Sequence, residues 1–377
     1  MAVAARQQVF VGAEAFVDAL RADIATCTRT LRVQFSTFEG DDAGRVFADL
    51  LLDRLRAGVD VQVILDGYSE VIADDVYPFS IRGRNVLTTE RRRRTELLDG
   101  LEAAGVSIHR VNPAGRFHRY LLFRDHKKMV ILDDQVAYVG GLNVSEHNYG
   151  WHDFMVRVED TVVADVVADF SSTWAGRTVA LTQWRDHGDF VLNHSPGRPT
   201  VLDAAHNLIG RARTRIVMES PYLCGDGIET ALRAAAERGV RVLLVTPLRP
   251  NHLHNQVWVR KLRRRLRHQN IELLGFPGSD GMTHAKLLIV DDEIASFGSL
   301  NYQEIEALAQ KELNIFTRDP ALVAELAALA AADAAASRPV PIPRSAFGWF
   351  TYRLIHWLVR VWIRRLLRRP AWRATYA

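Results

Sequence analysis

The chain is poor in cysteine. It has only two, Cys27 and Cys224, in 377 residues, which is too few for a disulfide framework or a four-cysteine metal site. A reducing compartment is therefore expected. Three histidines in loop-like segments, His118, His252 and His254, lack the spacing of metal ligands. The sequence therefore predicts no metal ion and no other cofactor.

Long apolar runs are also missing from the first third of the chain. Residues 1–12 do not show a basic segment followed by an apolar core, so no signal peptide is predicted. No apolar run ahead of residue 126 is long enough to span a bilayer. A hydrophobic content of 48% and a charged content of 24% are typical of a soluble globular protein. We therefore expect a cytoplasmic protein.

What the chain does contain is one stretch written twice. The shared template is His, any residue, Lys, four apolar residues, Asp, six residues, Gly followed by Gly or Ser, any residue, Asn. Each polar residue of the second copy lies 158 positions after its counterpart. The first copy supplies His126, Lys128, Asp133 and Asn143, and the second supplies His284, Lys286, Asp291 and Asn301.

The spacing within each copy fits a β-strand. Side chains two residues apart point to the same face of a strand, so His126 and Lys128 are predicted to lie side by side. Gly140-Gly141 then breaks a second apolar run and brings Asn143 to the strand ends. Lys and Asn suit phosphate oxygens, while a histidine can attack phosphorus or protonate a leaving oxygen. Two such copies could hold and cleave a phosphodiester.

The duplicated motif resembles the HKD signature of the phospholipase D superfamily. The neighbouring sequence is similar to bacterial cardiolipin synthases, in particular to the shorter type without N-terminal transmembrane helices. The similar segments include Arg124-Asp125-His126-Lys127-Lys128, Trp151-His152-Asp153 and Ser220-Pro221-Tyr222. The resemblance covers about residues 8 to 320. It implies that both histidines, both lysines and the two motif aspartates, Asp133 and Asp291, belong to the site, the aspartates as structural anchors.

Two further acidic residues recur at matching distances. Asp153 lies 27 residues after His126, and Glu312 lies 28 residues after His284. The resemblance implies that each orients its histidine by accepting a hydrogen bond from the second ring nitrogen; a solvated carboxylate is the alternative. Ser299, at the position of Gly141, is a candidate donor to phosphate.

Strand-helix-strand alternation with glycine at the helix ends predicts an α/β fold. We expect two mixed, mostly parallel sheets flanked by helices, duplicated with pseudo-twofold symmetry, and an active site at the seam between the halves. The segment 86–94, with its arginine run, is predicted to be a mobile loop. The predicted divisions are a first half (1–170), a connector (171–205), a second half (206–320), a helix with a proline-rich linker (321–344) and a tail (345–377).

The tail combines tryptophans with arginines. From Arg338 onward the chain has nine arginines and no acidic residue, and subtracting nine from the total charge of +4 leaves −5 for the rest. An arginine near the bilayer centre costs ~2.5–3.5 kcal/mol, which disfavours a membrane-spanning tail. An amphipathic helix lying on an anionic membrane surface fits better, and a helix packed on the body is the alternative. A nucleic acid partner is disfavoured because the basic surplus lies away from the catalytic body.

These features favour a phosphatidyltransferase that acts through a phosphohistidine at the inner face of the cell membrane. The predicted reaction makes cardiolipin from phosphatidylglycerol, with His126 as the nucleophile and His284 as the acid and base. Three alternatives remain open: a phospholipase D that uses water as the acceptor, a nuclease of the same superfamily, and a membrane scaffold with an inactive site. The sequence does not identify the acceptor alcohol or the oligomeric state.

Overall fold

The structure is a computed structural model that describes residues 7–73, 81–113, 115, 120–223, 226–251, 255, 259, 262–278, 282–340 and 349–368. The chain divides into two compact units, Met1–Leu181 and Thr182–Ala377. Of the residues discussed above, His118, Cys224, His252, His254 and the proline-rich linker at 341–343 lie outside the described ranges.

The first unit is built from seven strands. They form one sheet in the order β1-β7-β6-β5-β2-β3-β4. The strands are β1 Gln8–Val11, β2 Thr30–Phe35, β3 Asp60–Asp66, β4 Ser107–Val111, β5 Met129–Leu132, β6 Val136–Gly140 and β7 Phe154–Val158. The helices are α1 Ala13–Thr26, α2 Asp42–Arg56, α3 Ile81–Ala104, α4 Glu146–Tyr149 and α5 Thr161–Trp174, with a short 3-10 helix at Gly67–Glu70.

The second unit repeats this plan and adds a strand. Its sheet has the order β15-β11-β10-β9-β12-β13-β14-β8. The strands are β8 Phe190–His194, β9 Arg215–Glu219, β10 Arg241–Pro247, β11 Ile271–Phe276, β12 Leu287–Val290, β13 Ile294–Gly298, β14 Glu312–Thr317 and β15 Arg338–Pro339. The described helices are α6 Thr200–Arg211, α7 Asp226–Glu237, α8 Glu304–Ala309, α9 Pro320–Ala336 and α10 Trp349–Leu367. When the second sheet is read from β8 to β11, each of its strands has the number of the corresponding strand of the first sheet plus seven, and β15 is the added strand.

Local sequence explains how each element forms. Helix α2 begins at Asp41, whose carboxylate accepts a hydrogen bond from the backbone N–H of Gly44 as an N-cap. Phe47 and Leu51, one turn apart, face the core. The central strands β5 and β12 are buried at all four positions, which is why their sequences show an unbroken apolar run.

The prediction of an α/β fold with two mixed sheets flanked by helices is confirmed, but the parallel share is smaller than expected. Among the described strands, the parallel pairs are β2-β3 and β3-β4 in the first sheet and β9-β10 and β10-β11 in the second. The other neighbours are antiparallel. Two of these pairs, β5-β6 and β12-β13, are joined by short turns, which connect only antiparallel strands.

Two further expectations differ from the structure. The segment 171–205, predicted as a connector, contains β8 and the first half of α6. β8 occupies the sheet edge that corresponds to β1, so it is part of the second sheet. The arginine run Arg91–Arg94 lies within helix α3 rather than in a loop. Within that helix Arg94 turns inward and donates from Nε to the backbone oxygen of Phe38 at 2.8 Å.

The C-terminal helix α10 packs against α8. Ile363 and Leu366 are buried there, whereas Trp357 and Leu358 are exposed. No helix within the described residues has the length and apolar character needed to cross a membrane. Arg338 and Pro339, predicted as part of a linker, pair instead with β11.

Candidate active site

Each half-site is built on one hairpin, β5-β6 in the first unit and β12-β13 in the second. The turns at the tips of these hairpins, residues 133–135 and 291–293, have positive φ at both of their aspartates, between 52° and 60°. Aspartate tolerates this left-handed backbone better than most residues. The identical turns fix the same register in both hairpins, Met129 with Val139 and Leu287 with Phe297.

The motif aspartates tie the turns to the start of a neighbouring strand. Oδ1 of Asp133 accepts hydrogen bonds from the backbone N–H groups of Arg29 and Thr30, at 2.7 and 2.9 Å, and Oδ2 accepts from Thr28. Burial alone would raise the pKa of Asp133, but these backbone bonds outweigh it and hold the pKa well below its usual range. Since β5 lies between Asp133 and Lys128, the aspartate lies at the other end of the strand from the lysine.

Asp291 repeats this arrangement in the second unit. Its carboxylate accepts from the backbone N–H groups of Arg213, Thr214 and Arg215 at 2.8 to 3.1 Å. Burial opposes the effect, yet the same kind of backbone bonds lowers the pKa of Asp291. Both motif aspartates therefore lie where a structural anchor is expected.

The lysine of each motif reaches back to its histidine. Nζ of Lys128 donates to the backbone oxygen of His126 at 2.5 Å, and Nζ of Lys286 donates to that of His284 at 2.6 Å. In the second unit Nζ also lies 2.9 Å from Nδ1 of His284. Both lysines are about 99% buried, so each ammonium group adds positive charge in a place of low dielectric, where charge acts strongly on an anion.

Asn143 is held by the end of β2. Its Oδ1 accepts from the hydroxyl of Ser36 at 3.0 Å and from the backbone N–H of Thr37 at 3.3 Å. The hydroxyl of Ser36 also accepts from Nζ of Lys128 at 3.0 Å. In the second unit, Asn301 is buried and its backbone oxygen accepts from Ser220. Ser36 is a site residue that the sequence analysis missed, because it lies outside the repeated stretch.

Matching backbone hydrogen bonds place the two orienting candidates at corresponding positions. The N–H of Gly141 donates to the oxygen of Phe154, the residue after Asp153, and the N–H of Ser299 donates to that of Leu313, the residue after Glu312. Asp153 and Glu312 are both buried. Glu312 is one residue further from its histidine than Asp153 is. The extra residue lies in the segment that connects β13 to β14, which corresponds to the segment between β6 and β7.

The residues that accompany these carboxylates differ between the units. A Cβ atom on Gly141 would lie 2.3 Å from Oδ1 of Asp153, so any larger residue there would displace that carboxylate. Ser299 occupies the corresponding place, and its hydroxyl exchanges hydrogen bonds with the backbone of Leu313, donating to the oxygen at 3.3 Å and accepting from the N–H at 3.0 Å. The hydroxyl that was predicted to contact phosphate is thus engaged with β14.

Glu312 also has a neighbour that Asp153 lacks. It pairs across the antiparallel strands with His194, a buried histidine at the end of β8. The backbone of Asp153 accepts instead from Gly12. Sequence reasoning missed His194 because β8 was assigned to a connector.

Buried ion pairs surround the first motif. Nζ of Lys127 lies 2.7 Å from Asp169 of α5 and 3.6 Å from Asp125. On the other side, Arg124 lies 2.9 Å from Asp66. Burial raises the pKa of Asp66 to about 6, against the opposing effect of Arg124. The second motif has Met282, Thr283 and Ala285 in the places of Arg124, Asp125 and Lys127, all of them buried.

Within the described residues no cluster of three or more His, Cys, Asp or Glu side chains could hold a metal ion. The motif lysine supplies a positive charge to each half-site. Nζ of Lys128 lies 3.0 Å from the Ser36 hydroxyl, and Nζ of Lys286 lies 2.9 Å from a ring nitrogen of His284.

The family is shown by comparison with known proteins. The family model described as "Cardiolipin synthase, PLD-like domain" matches residues 20–174 and 206–333. Those two segments carry the two hairpins and both sets of motif residues. The chain belongs to this phospholipase D-like family, as the sequence predicted.

Several relatives carry the name cardiolipin synthase. A probable cardiolipin synthase of Bacillus subtilis is 25% identical over 84% of this chain and 63% of its own length. Cardiolipin synthase B of Escherichia coli is 28% identical over 77% of this chain and 71% of its own length. Cardiolipin synthase A of Pseudomonas putida is 26% identical over 83% and 65%. The chain thus spans just under two thirds of the first of these relatives.

Solved structures support the fold. The crystal structure of a phosphatidylserine synthase from Haemophilus influenzae has a TM-score of 0.69 at 13% identity and covers 97% of this chain and 95% of that one. A polyphosphate kinase from Porphyromonas gingivalis has a TM-score of 0.59 at 14% identity, covering 94% of this chain and 53% of that one. At these identities the likeness establishes the architecture alone.

Proposed function

We propose that this protein is a phosphatidyltransferase that forms cardiolipin from two molecules of phosphatidylglycerol and releases glycerol. The observation that carries the proposal is the repetition of a complete half-site on two sheets of the same strand order. Each half offers a histidine, a buried lysine and an asparagine. A two-step transfer at phosphorus needs one nucleophile and one proton carrier, which two such halves can supply if they act on a common phosphate.

In the first step, a ring nitrogen of His126 attacks the phosphorus of one phosphatidylglycerol. The bond between phosphorus and the glycerol oxygen breaks, and His284 gives its proton to that oxygen. The product is a phosphatidyl-histidine and free glycerol. In the second step, His284 takes the proton from a glycerol hydroxyl of another phosphatidylglycerol, whose oxygen attacks phosphorus. The phosphorus–nitrogen bond breaks, and His126 is regenerated.

The buried lysines would stabilise the negative charge on the phosphoryl oxygens. The ammonium groups of Lys128 and Lys286 and the amides of Asn143 and Asn301 are proposed to bind the phosphoryl oxygens, where charge rises in the transition state. The carboxylates of Asp153 and Glu312 are proposed to hold the ring orientation of His126 and His284. Asp133 and Asp291 act through the hairpin turns that they anchor.

The assignment to a phospholipid rests on the family and on the tail. Relatives named cardiolipin synthase align over most of the chain. On α10, Trp357 is 59% exposed and Leu358 50% exposed, and Arg364, Arg365 and Arg368 are exposed near its C-terminal end. Aromatic and aliphatic side chains followed by arginines suit the acyl boundary and the phosphates of an anionic membrane. Helix α10 is proposed to pack on α8 by one face and to bind the inner surface of the cell membrane by the other.

The direct test supplies wild-type protein with vesicles of labelled phosphatidylglycerol and separates the lipid products. We expect cardiolipin and glycerol, and we expect His126→Ala and His284→Ala each to lose the activity while His187→Ala, at an exposed histidine of the second unit, keeps it. Acid quenching followed by mass spectrometry of the peptides should find the phosphatidyl group on residue 126. Co-sedimentation with the same vesicles should weaken when Trp357 and Arg364 are replaced by serine.

Each other outcome of this test points elsewhere. Phosphatidic acid as the product would identify water as the acceptor and make the protein a phospholipase D. Cleavage of DNA in a parallel assay without lipid turnover would indicate a nuclease. Vesicle binding without any lipid turnover would indicate that the protein is a membrane scaffold and would overturn the proposal.

A further inference from the structure

The hydroxyl of Ser36 links the two groups that are proposed to bind phosphate in the first half-site. Ser36 follows the last residue of β2 and is only 4% exposed. Its oxygen lies 3.0 Å from Nζ of Lys128 and 3.0 Å from Oδ1 of Asn143. Lys128 and Asn143 are separated by 15 positions in the chain and are otherwise carried by different parts of the hairpin.

The direction of these hydrogen bonds is determined by chemistry. An ammonium group can only donate, so the Ser36 oxygen accepts from Lys128 and uses its own proton to donate to Asn143. The carbonyl oxygen of Asn143 then takes a second donor, the backbone N–H of Thr37 at 3.3 Å. Because both donors fix the carbonyl end, the NH2 end of the amide is the one left to donate to an anion.

The second half-site does not have this device. Gln34 pairs with Met129 across β2 and β5, and Glu219 pairs with Leu287 across β9 and β12. Two residues further on, Ser36 therefore corresponds to Pro221, which has no hydroxyl. Lys286 turns instead to the ring of His284, at 2.9 Å from Nδ1. Lys128 thus contacts a serine that also binds the asparagine, and Lys286 contacts an imidazole.

We propose that Ser36 is a positioning residue that holds the Lys128 ammonium and the Asn143 amide ready for one phosphoryl group. The proposal rests on the proposed function, since it assigns these two groups to a phosphate. Without the hydroxyl, nothing but the flexible side chain of Lys128 would set the distance between its ammonium group and the amide of Asn143. A displaced stabilising group costs most in the transition state, so the effect should appear in kcat rather than in KM.

The first test compares Ser36→Ala with Ser145→Ala. Ser145 is an equally buried serine of the same unit, and its hydroxyl donates to Glu39 at 2.9 Å instead of to the site. With phosphatidylglycerol vesicles we expect kcat of Ser36→Ala to fall about 30-fold with KM changed less than threefold, an effect somewhat below the loss of a direct stabilising donor. Ser145→Ala should keep wild-type kcat. Equal kcat losses in the two variants, or none in Ser36→Ala, would overturn the proposal.

A double-mutant cycle tests whether Ser36 acts through its neighbour. If it does, Ser36→Ala should lower kcat by clearly less than about 30-fold when Asn143 is already alanine, because one of the two groups that it positions is gone and the remaining loss comes from Lys128 alone. The same 30-fold loss in both backgrounds would contradict the mechanism, even if the single variant is impaired.

Binding of orthovanadate, measured by calorimetry on the full chain, separates this inference from the proposed function. We expect Ser36→Ala to bind at least tenfold more weakly than wild type and Ser145→Ala to bind equally. If wild type turns over no lipid but vanadate binding follows this pattern, the lipid reaction fails and the role of Ser36 stands. If wild type makes cardiolipin and Ser36→Ala matches it in both assays, only the role of Ser36 fails.

Discussion

The two half-sites share a backbone and differ in what surrounds it. His126 lies between Asp125 and Lys127, whose buried charges pair with one another and with α5. His284 lies between Thr283 and Ala285, which carry no charge and are fully buried. Hairpins of the same register therefore follow a charged support in the first unit and an uncharged one in the second.

A second difference concerns two positions that differ together between the units. Gly141 leaves room for the carboxylate of Asp153, whereas Ser299 fills that room and is accompanied by the longer Glu312. A longer side chain can carry its carboxylate past a serine. The two pairs are thus alternative solutions to one packing problem.

The largest expected effect concerns the buried charges. Lys127→Ala copies the alanine of the second motif but leaves Asp125 and Asp169 buried without their cation. We expect the free energy of unfolding to fall by about 3–5 kcal/mol, measured by urea denaturation at pH 7. The pair Lys127→Met with Asp169→Leu should recover the part of the loss that comes from Asp169, and the part that comes from Asp125 should remain. Asp165→Ala, one turn earlier on α5 and partly exposed, is the control and should change stability little. Equal losses in the single and double variants would show that the ion pair is not the cause.

The next effect concerns the packing pair. Gly141→Ser places a Cβ atom where the Asp153 carboxylate lies and should lower phosphatidyl transfer about 100-fold, because displacing Asp153 misplaces the histidine that it is proposed to orient. Adding Asp153→Glu copies the second unit and should restore part of the activity. Ser299→Gly, the reverse change in the other half, should be milder. Wild-type activity in Gly141→Ser would refute the coupling of the two positions.

The smallest effect concerns the turns and depends on pH. The folded pKa of Asp133 is lowered, while in the unfolded chain it is about 3.9. Its stabilising contribution is therefore complete above about pH 4 and is lost as the pH falls toward the folded pKa. We expect Asp133→Asn to lower the free energy of unfolding by roughly 1.5–3 kcal/mol at pH 7, with the gap to wild type narrowing below pH 4. Asp291→Asn should behave alike. A gap of equal size at pH 3 and pH 7 would contradict this account.

The sequence was sufficient for those parts of the fold and site that depend on strand periodicity. The repeated spacing of histidine, lysine and asparagine predicted two equivalent hairpins, and the glycine-ended helices predicted the α/β fold. It was insufficient where position depends on distant packing. Ser36 lies 92 positions before Lys128 and has no serine at its counterpart, Pro221. No short-range pattern could connect them.

The share of parallel strands was overestimated, and the prediction of a loop at the arginine run was wrong, for a related reason. Alternating strands and helices predicted mixed sheets that are mostly parallel, whereas among the described strands the parallel pairs are those from β2 to β4 and from β9 to β11. The run Arg91–Arg94 looked like solvated polar sequence. One of its members is buried by a contact with Phe38, more than fifty residues away, and local charge density gives no sign of such a contact.

The aspartate anchors also constrain the order in which each unit can fold. The carboxylate of Asp133 closes a loop of about one hundred residues when it reaches Thr28, and that of Asp291 closes one of nearly eighty when it reaches Thr214. Long loops close late, because the entropy lost must be recovered from contacts that already exist. We therefore expect the left-handed turns at the tips of the hairpins to gain their partners after the parallel strands have assembled. In a chain that has not yet formed these contacts, the hairpin that follows each motif lysine would not be anchored at its turn.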